Sequence, residues 1–193
     1  MKSLKGTKTA ENLMKAFAGE SQARNRYTYW ASVADKEGYK QIRNIFIETA
    51  DKEHAKRFYK FLLAGLDGEL PAKIEIDASF PVAQGNTLEN LKAAAAGEYE
   101  EWGELYPAFA QVAEEEGFIE IAVVFRNIAR AEKAHETRYN KLAKNIESGQ
   151  VFKKEEKVQW KCGTCGYVHE GNEAPPRCPA CDHPIDHFEV FKE

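Results

Sequence analysis

The chain has 193 residues, 43% of them hydrophobic and 30% charged, with a formal net charge of −4, a balance that belongs to a core-forming globular protein and not to a disordered one. The acidic surplus removes any electrostatic basis for general nucleic-acid or anionic-membrane binding; no apolar run reaches the ~18–20 residues of a membrane span, and Met1-Lys2-Ser3-Leu4-Lys5 opens no apolar secretory core. All four cysteines lie between 162 and 181 in paired spacing, which marks a metal site in a reducing compartment, so a cytoplasmic location is expected.

Four long segments carry helical periodicity. The first runs from about Thr9 to Lys36, with Leu13, Phe17, Glu20, Arg24 and Tyr27 at spacings of three and four, and Gly38 ends it. The second runs from about Tyr39 to Ala64, with Ile42, Ile45, Phe46, Thr49 and Ala50 on one side; Gly65 and Gly68 close it. Residues 66–87, with Pro71 and Pro81, read as an extended crossover in which Ile74-Glu75-Ile76 is the place for a short strand. Thr87 is the expected N-cap of the third segment, which continues to about Glu116. Pro107 inside it should kink the helix or leave a carbonyl unpaired, at about 3 kcal/mol in isolation. The fourth runs from about Phe118 to Glu147. Two helical hairpins joined by one long crossover predict a mainly α protein, a ferritin-like four-helix bundle over residues 1–148. A polar linker rich in Lys and Glu follows at 149–157, and from 158 to 193 short strands, turns, prolines and cysteines make a second, small domain.

The chain repeats itself. Ala16-Phe17-Ala18-Gly19-Glu20 is echoed by Ala94-Ala95-Ala96-Gly97-Glu98, and Gly38-Tyr39, Ile42, Phe46, Ala50, Glu53 by Gly117-Phe118, Ile121, Phe125, Ala129, Glu132. A duplicated helix pair with carboxylates at matching depths builds a two-fold site inside a bundle. The inward candidates are Glu20, Glu53, Glu98, Glu101 and Glu132, with His135 one turn after Glu132. Several carboxylates buried together need cations to neutralise them, and carboxylates with one or two imidazoles suit iron or manganese. Tyr27 and Tyr106 follow the two Gly-Glu units by seven and eight residues. They are either donors to ligating carboxylates or ordinary core tyrosines.

One irregularity interrupts the repeat. Glu132 is followed by His135 at the third residue, but Glu53 is followed at once by His54. Two missing residues amount to about 200° of rotation and about 3 Å of rise, so a regular helix cannot aim both inward. Three arrangements follow: Glu53 inward with His54 turned away, Asp51 with His54, or a local bulge that admits Glu53 and His54 together.

Cys162-Gly163-Thr164-Cys165 and Cys178-Pro179-Ala180-Cys181 are two Cys-x-x-Cys knuckles, a strong signal for one metal on four sulfurs. So small a domain depends on its metal to fold. Spacing alone does not separate zinc from iron. Gly166-Tyr167, Pro179, Trp160, Phe188 and Phe191 favour iron, and His169, His183 and His187 are read as surface or outer-sphere residues.

On these residues, above all Phe17-Ala18-Gly19-Glu20-Ser21-Gln22-Ala23-Arg24-Asn25-Arg26-Tyr27, Ala96-Gly97-Glu98-x-x-Glu101, Glu132-x-x-His135 and the two knuckles, the chain resembles the rubrerythrin family over essentially its whole length. The resemblance implies a di-iron centre in the bundle and one iron on Cys162, Cys165, Cys178 and Cys181, three irons per subunit. It implies a peroxidase that reduces hydrogen peroxide to water, with electrons from NAD(P)H arriving through separate reductases or rubredoxin and through the chain's own rubredoxin-like centre. It further implies a homodimer in which one subunit's cysteine domain lies near the other's di-iron site. Carried over residue by residue, Glu20 and Glu98 are terminal ligands, Glu53 and Glu132 bridge, His135 completes the second iron, and Glu101 and His54 exchange on the first. The family's second helix carries Glu-x-x-His and this chain does not, so the departure falls on the exchanging ligands. Two other readings compete: a ferroxidase or iron-storage protein, against which the cysteine domain argues, and a non-catalytic bundle with a zinc ribbon.

Overall fold

In the computed structural model, which describes residues 2–191, the bundle is built from four rods, two of them interrupted. Helix α1 spans Lys8–Lys36, with the Thr7 side chain capping the Ala10 amide, and ends before Gly38, whose φ of +78° reverses the chain. The second rod is α2 (Lys40–Lys52) followed by α3 (Ala55–Gly65). The third is α4 (Thr87–Glu100), a π turn over Glu101–Leu105, and α5 (Tyr106–Glu115); the fourth is α6 (Ile119–Glu147).

Three expectations are corrected. The second segment is not continuous: Glu53 takes an extended conformation (φ −51°, ψ 142°) between α2 and α3, at the point where the repeat is two residues short. The cap of α4 is Asn86, not Thr87, because Asn86 and Glu89 form a reciprocal capping box in which each side chain accepts from the other's amide. The Ile74–Ile76 stretch forms no strand; the three strands among the described residues all belong to the C-terminal ribbon.

Pro107 does not break the rod, since the π turn runs directly into α5. The π turn just before it widens the backbone, with the Tyr106 amide reaching back to the Glu101 carbonyl, so the turn where a proline ring would collide is already opened. That turn adds one residue to the second repeat. Gly-Glu units are offset by 78 residues (Glu20, Glu98), but Tyr27 and Tyr106 by 79. Tyr106 therefore returns to the inward face that Tyr27 occupies in the first copy.

The two hairpins are tied reciprocally. Glu116, at the end of α5, accepts from the amides of Lys8 (3.0 Å) and Thr9 (2.8 Å) at the start of α1, and from the Thr9 hydroxyl at 2.6 Å. Glu37, at the end of α1, accepts from the Thr87 amide at 2.9 Å. A carboxylate at a helix N-terminus satisfies orphan amides and complements the helix dipole. Two apolar clusters fill the interior, one around Leu13, Phe58, Tyr106 and Phe125, the other around Tyr27, Trp30, Phe46 and Tyr139. The acidic residues lie between them.

Strand β1 (Lys153–Cys162) pairs antiparallel with β2 (Val168–Glu173) and β3 (Phe188–Val190), giving the order β2-β1-β3. Trp160, Cys162, Cys178 and Phe188 form its small core, and Phe152 stacks on Tyr39 at the start of α2.

Glu116→Ala should cost about 1–2 kcal/mol of bundle stability through lost helix capping. Glu37→Ala, which removes a single bond, should cost less. Urea unfolding midpoints of the two variants check this order.

Candidate metal centre

Three carboxylates are almost wholly withdrawn from water: Glu20, Glu98 and Glu132 keep 1%, 3% and 2% exposure. Each comes from a different rod, and the broken second rod supplies Glu53 and His54. Glu20, His54 and Glu132 bring ligand atoms within 4.8 Å of one another, and so do Glu98, Glu132 and His135. Glu132 is common to both groups. Its Oε1 lies 2.7 Å from His54 Nδ1 and its Oε2 2.7 Å from His135 Nδ1.

The break at Glu53 decides the second rod's contribution. An extended residue turns the chain so that the Glu53 carboxyl and the His54 ring both face the acidic layer, which a regular helix forbids. The His54 amide, freed from helical bonding, donates to Glu20 Oε2 at 2.7 Å. Asp51 faces outward and pairs loosely with Arg24 at 3.7 Å. Of the three arrangements open in the sequence, the structure adopts the one with Glu53 and His54 inward, reached by a helix break and not by a bulge.

The tyrosines cross-link the repeats. Tyr27 of the first copy donates to Glu98 Oε1 at 2.7 Å, and Tyr106 of the second donates to Glu20 Oε1. Each tyrosine orients the carboxylate of the opposite repeat, so they are more than apolar filling.

The electrostatics are those of a cation site. Burial pushes Glu53 up to about 12, helped by the adjoining Glu20 carboxylate and the charges of Glu98 and Glu101. Glu101, at the head of the π turn, is raised by burial and by Glu20, Glu98 and Glu132, with Arg26 opposing. Burial raises Glu98 to about 7 against the pull of His135. For Glu132 burial also acts upward, but the two imidazoles outweigh it and hold the carboxyl below its ordinary range. Burial alone would lower His135, yet Glu132 and Glu98 raise it to about 10. Glu53 Oε1, Glu132 Oε1, His54 Nδ1 and His135 Nδ1 are all buried without a properly aligned hydrogen bond. Donor atoms that converge closely but do not align are what a bound cation would satisfy, and oxygen-rich sets with one imidazole each fit iron or manganese.

Arg26, in the sequence only one member of the Phe17–Tyr27 run, supplies the positive charge that opposes the rise at Glu101; the second repeat has Leu105 in its place.

The cysteine ribbon is a second site. Cys162, Cys165, Cys178 and Cys181 gather their sulfurs in one group, with 3.7 Å between Cys162 and Cys181 and 3.6 Å between Cys165 and Cys178. Its two knuckles repeat one geometry. The Gly166 amide donates to the Cys162 carbonyl (2.9 Å) and the Asp182 amide to the Cys178 carbonyl (2.8 Å), with φ of +80° and +58° at the two donors. Burial would raise the Cys178 thiol, but the Ala180 and Cys181 amides outweigh it and bring it to about 7. The His183 amide favours the Cys181 thiolate, but burial and the neighbouring sulfurs push that thiol up to about 12. Four sulfurs so placed need a cation to ionise together. Of the histidines read as surface or outer-sphere residues, His183 takes the outer-sphere place, its ring 3.3 Å from Cys181 Sγ, and His187 is bonded to the Thr164 hydroxyl at 2.8 Å.

Metal-free protein should lose stability as pH rises. Glu53 and Glu98 hold protons that the unfolded chain releases near 4.5, and His135 holds one released near 6.5. Stability from these groups is complete below those values and declines toward about 7 for Glu98, about 10 for His135 and about 12 for Glu53. Melting of the apoprotein should fall between about pH 6 and about pH 9. Ferrous or manganous ion, which replaces the protons, should remove most of that slope.

The rubrerythrin family model matches residues 11–143, and the model of the rubrerythrin rubredoxin-like domain matches residues 160–189. The rubrerythrin of Clostridium perfringens is 65% identical, with 100% of this chain and 99% of that protein covered. The rubrerythrin of Nitratidesulfovibrio vulgaris is 53% identical, covering 99% of this chain and 98% of its own. Among solved structures, nigerythrin in a partially reduced state superposes with a TM-score of 0.63 at 30% identity, over 98% of this chain and 92% of the other. A Desulfovibrio desulfuricans bacterioferritin with a diiron site gives 0.64 at 26% identity, over 74% of this chain and 82% of its own. On these matches the chain belongs to the rubrerythrin family.

Proposed function

We propose that the protein is the terminal component of an NAD(P)H-dependent peroxidase that reduces hydrogen peroxide to water. Three irons per chain serve it: two in the bundle on Glu20, Glu53, His54, Glu98, Glu101, Glu132 and His135, and one on Cys162, Cys165, Cys178 and Cys181. The observation that carries this reading is the pair of carboxylate–imidazole groups sharing Glu132, on a chain that also holds a four-sulfur site. Two iron ions in the bundle would supply both electrons and the polarisation that O–O cleavage needs.

The chain's own residues do the rest. Tyr27 and Tyr106 fix the rotation of Glu98 and Glu20 from opposite repeats. Glu132, shared by the two carboxylate–imidazole groups, would keep the two halves of the site at one separation. The reaction consumes two protons along with two electrons; since metal would displace the protons that burial favours on Glu53 and Glu101, these would come from solvent and through the Tyr27 and Tyr106 hydroxyls beside the ligating carboxylates. Cys165 is exposed while Cys162 and Cys178 are buried, which gives the ribbon an open edge for electron transfer from a rubredoxin or reductase. A homodimer in the cytoplasm, in which electrons reach one subunit's bundle from the partner's ribbon, completes the proposal.

The likeness to a bacterioferritin keeps one other reading, iron oxidation for storage. There iron would leave the site after oxidation; in a peroxidase it stays.

Anaerobic stopped-flow of the reduced full chain tests the proposal. Peroxide should oxidise the bundle centre faster than it oxidises free ferrous ion, with iron retained through repeated cycles; equal rates, or iron release, would reject it. Cys178→Ser should keep the single turnover but lose NAD(P)H-driven cycling and the red colour of the four-sulfur ferric centre. Tyr106→Phe should weaken metal affinity about tenfold, read by competition with a chelator.

A further inference from the structure

A cavity of about 270 Å³ lies under the crossover and meets the bundle centre at Glu101 and Tyr106. Phe80 covers it, Phe109 and Leu105 supply apolar wall, and Gly19 and Gly97 line its side. Those glycines immediately precede Glu20 and Glu98 in the repeated unit. Neither has positive φ. A Cβ on Gly97 would meet nothing within 4 Å, and one on Gly19 only Phe80 Cε1 at an ordinary 3.8 Å. Backbone conformation and crowding therefore do not require glycine here, while alanine would make the better helix. What the missing side chains leave is open volume beside two buried carboxylates.

That volume exceeds what a molecule of two heavy atoms occupies. Away from the inner end the lining carries Lys15 and Arg26 against Asp77 and Glu100, a balance that does not select a strongly charged ligand. Polar groups stand at the inner end and aromatic and aliphatic walls outside them, the arrangement of a site for a small molecule with a polar head and an apolar tail.

We propose that this cavity is a substrate chamber and that it admits small neutral alkyl hydroperoxides as well as hydrogen peroxide. The inference rests on the peroxidase reading above and extends its substrate class. The O–O bond of ROOH accepts two electrons, delivered by the reduced bundle centre and ultimately by NAD(P)H, and two protons; it yields ROH and water. The alkyl group lies between Phe80 and Phe109, with Gly97 giving it room.

Reduced full-length protein is mixed anaerobically with hydrogen peroxide or tert-butyl hydroperoxide, for the wild type, Gly97→Ala and Gly97→Leu. Both oxidants should react with the wild type. Gly97→Leu should lower the ratio of the alkyl rate to the hydrogen peroxide rate about tenfold or more, as a filled pocket does. Gly97→Ala should raise the melting temperature while shifting the ratio the same way, which separates a closed chamber from a damaged fold. Independently of turnover, crystals soaked in tert-butanol should show the alcohol between Phe80 and Gly97 in the wild type and not in Gly97→Leu. An unchanged ratio, reaction with hydrogen peroxide alone, or alcohol bound only elsewhere overturns the proposal. Failure of both oxidants with the wild type removes the peroxidase reading itself, and this extension with it.

Discussion

Three carboxylates buried in the middle of a helical bundle are the constraint around which the molecule is arranged. Glu20, Glu98 and Glu132 lie between two apolar clusters, where an uncompensated charge would cost several kcal/mol. Each is answered locally: Glu20 by Tyr106 and the His54 amide, Glu98 by Tyr27, Glu132 by two imidazoles. Glu53 has no such cation among the described residues and Glu101 only the opposing charge of Arg26, and both are pushed toward the protonated form. The layer is thus a store of negative charge waiting for cations, with protons as substitutes.

A two-fold repeat makes that layer possible, and two local defects in the helices keep it in register. The π turn before Pro107 adds one residue, which brings Tyr106 to the face that Tyr27 occupies. The extended Glu53 offsets the two missing residues before His54 and turns both side chains inward. Both defects sit next to candidate ligands, where the helix gives up regular hydrogen bonding to aim side chains. The hairpin ends, Glu37 and Glu116, then lock the copies together by capping each other's first helix.

The ribbon obeys the same economy at smaller scale. Its core holds Trp160 and Phe188 beside two of the four cysteines, too little apolar area to fold unaided. Matching knuckles, each ending on a residue with positive φ, bring the sulfurs together; Gly166 and Asp182 are the residue types that tolerate that conformation best. A carboxylate centre and a rubredoxin-like four-cysteine ribbon thus share one chain.

The sequence by itself determined the four-rod bundle, the crossover, the ribbon and the identity of nearly every side chain that gathers in the two sites. Periodicity and internal repetition carry that information because burial must recur every three to four residues whatever the tertiary detail. It also exposed the two-residue shortfall at His54, but not its resolution, since rotation along a helix can be counted from sequence whereas the choice to break the helix depends on what Glu20 and Glu132 offer across the bundle. Asn86 displaces Thr87 as cap through a local bond with Glu89, and the wide turn that absorbs Pro107 is closed by Tyr106 on Glu101, so both are short-range choices among backbone conformations that periodicity leaves open. Arg26 beside Glu101 and the open space at Gly19 and Gly97 were decided only by the tertiary structure, because they depend on residues far apart in the chain, which local spacing does not encode.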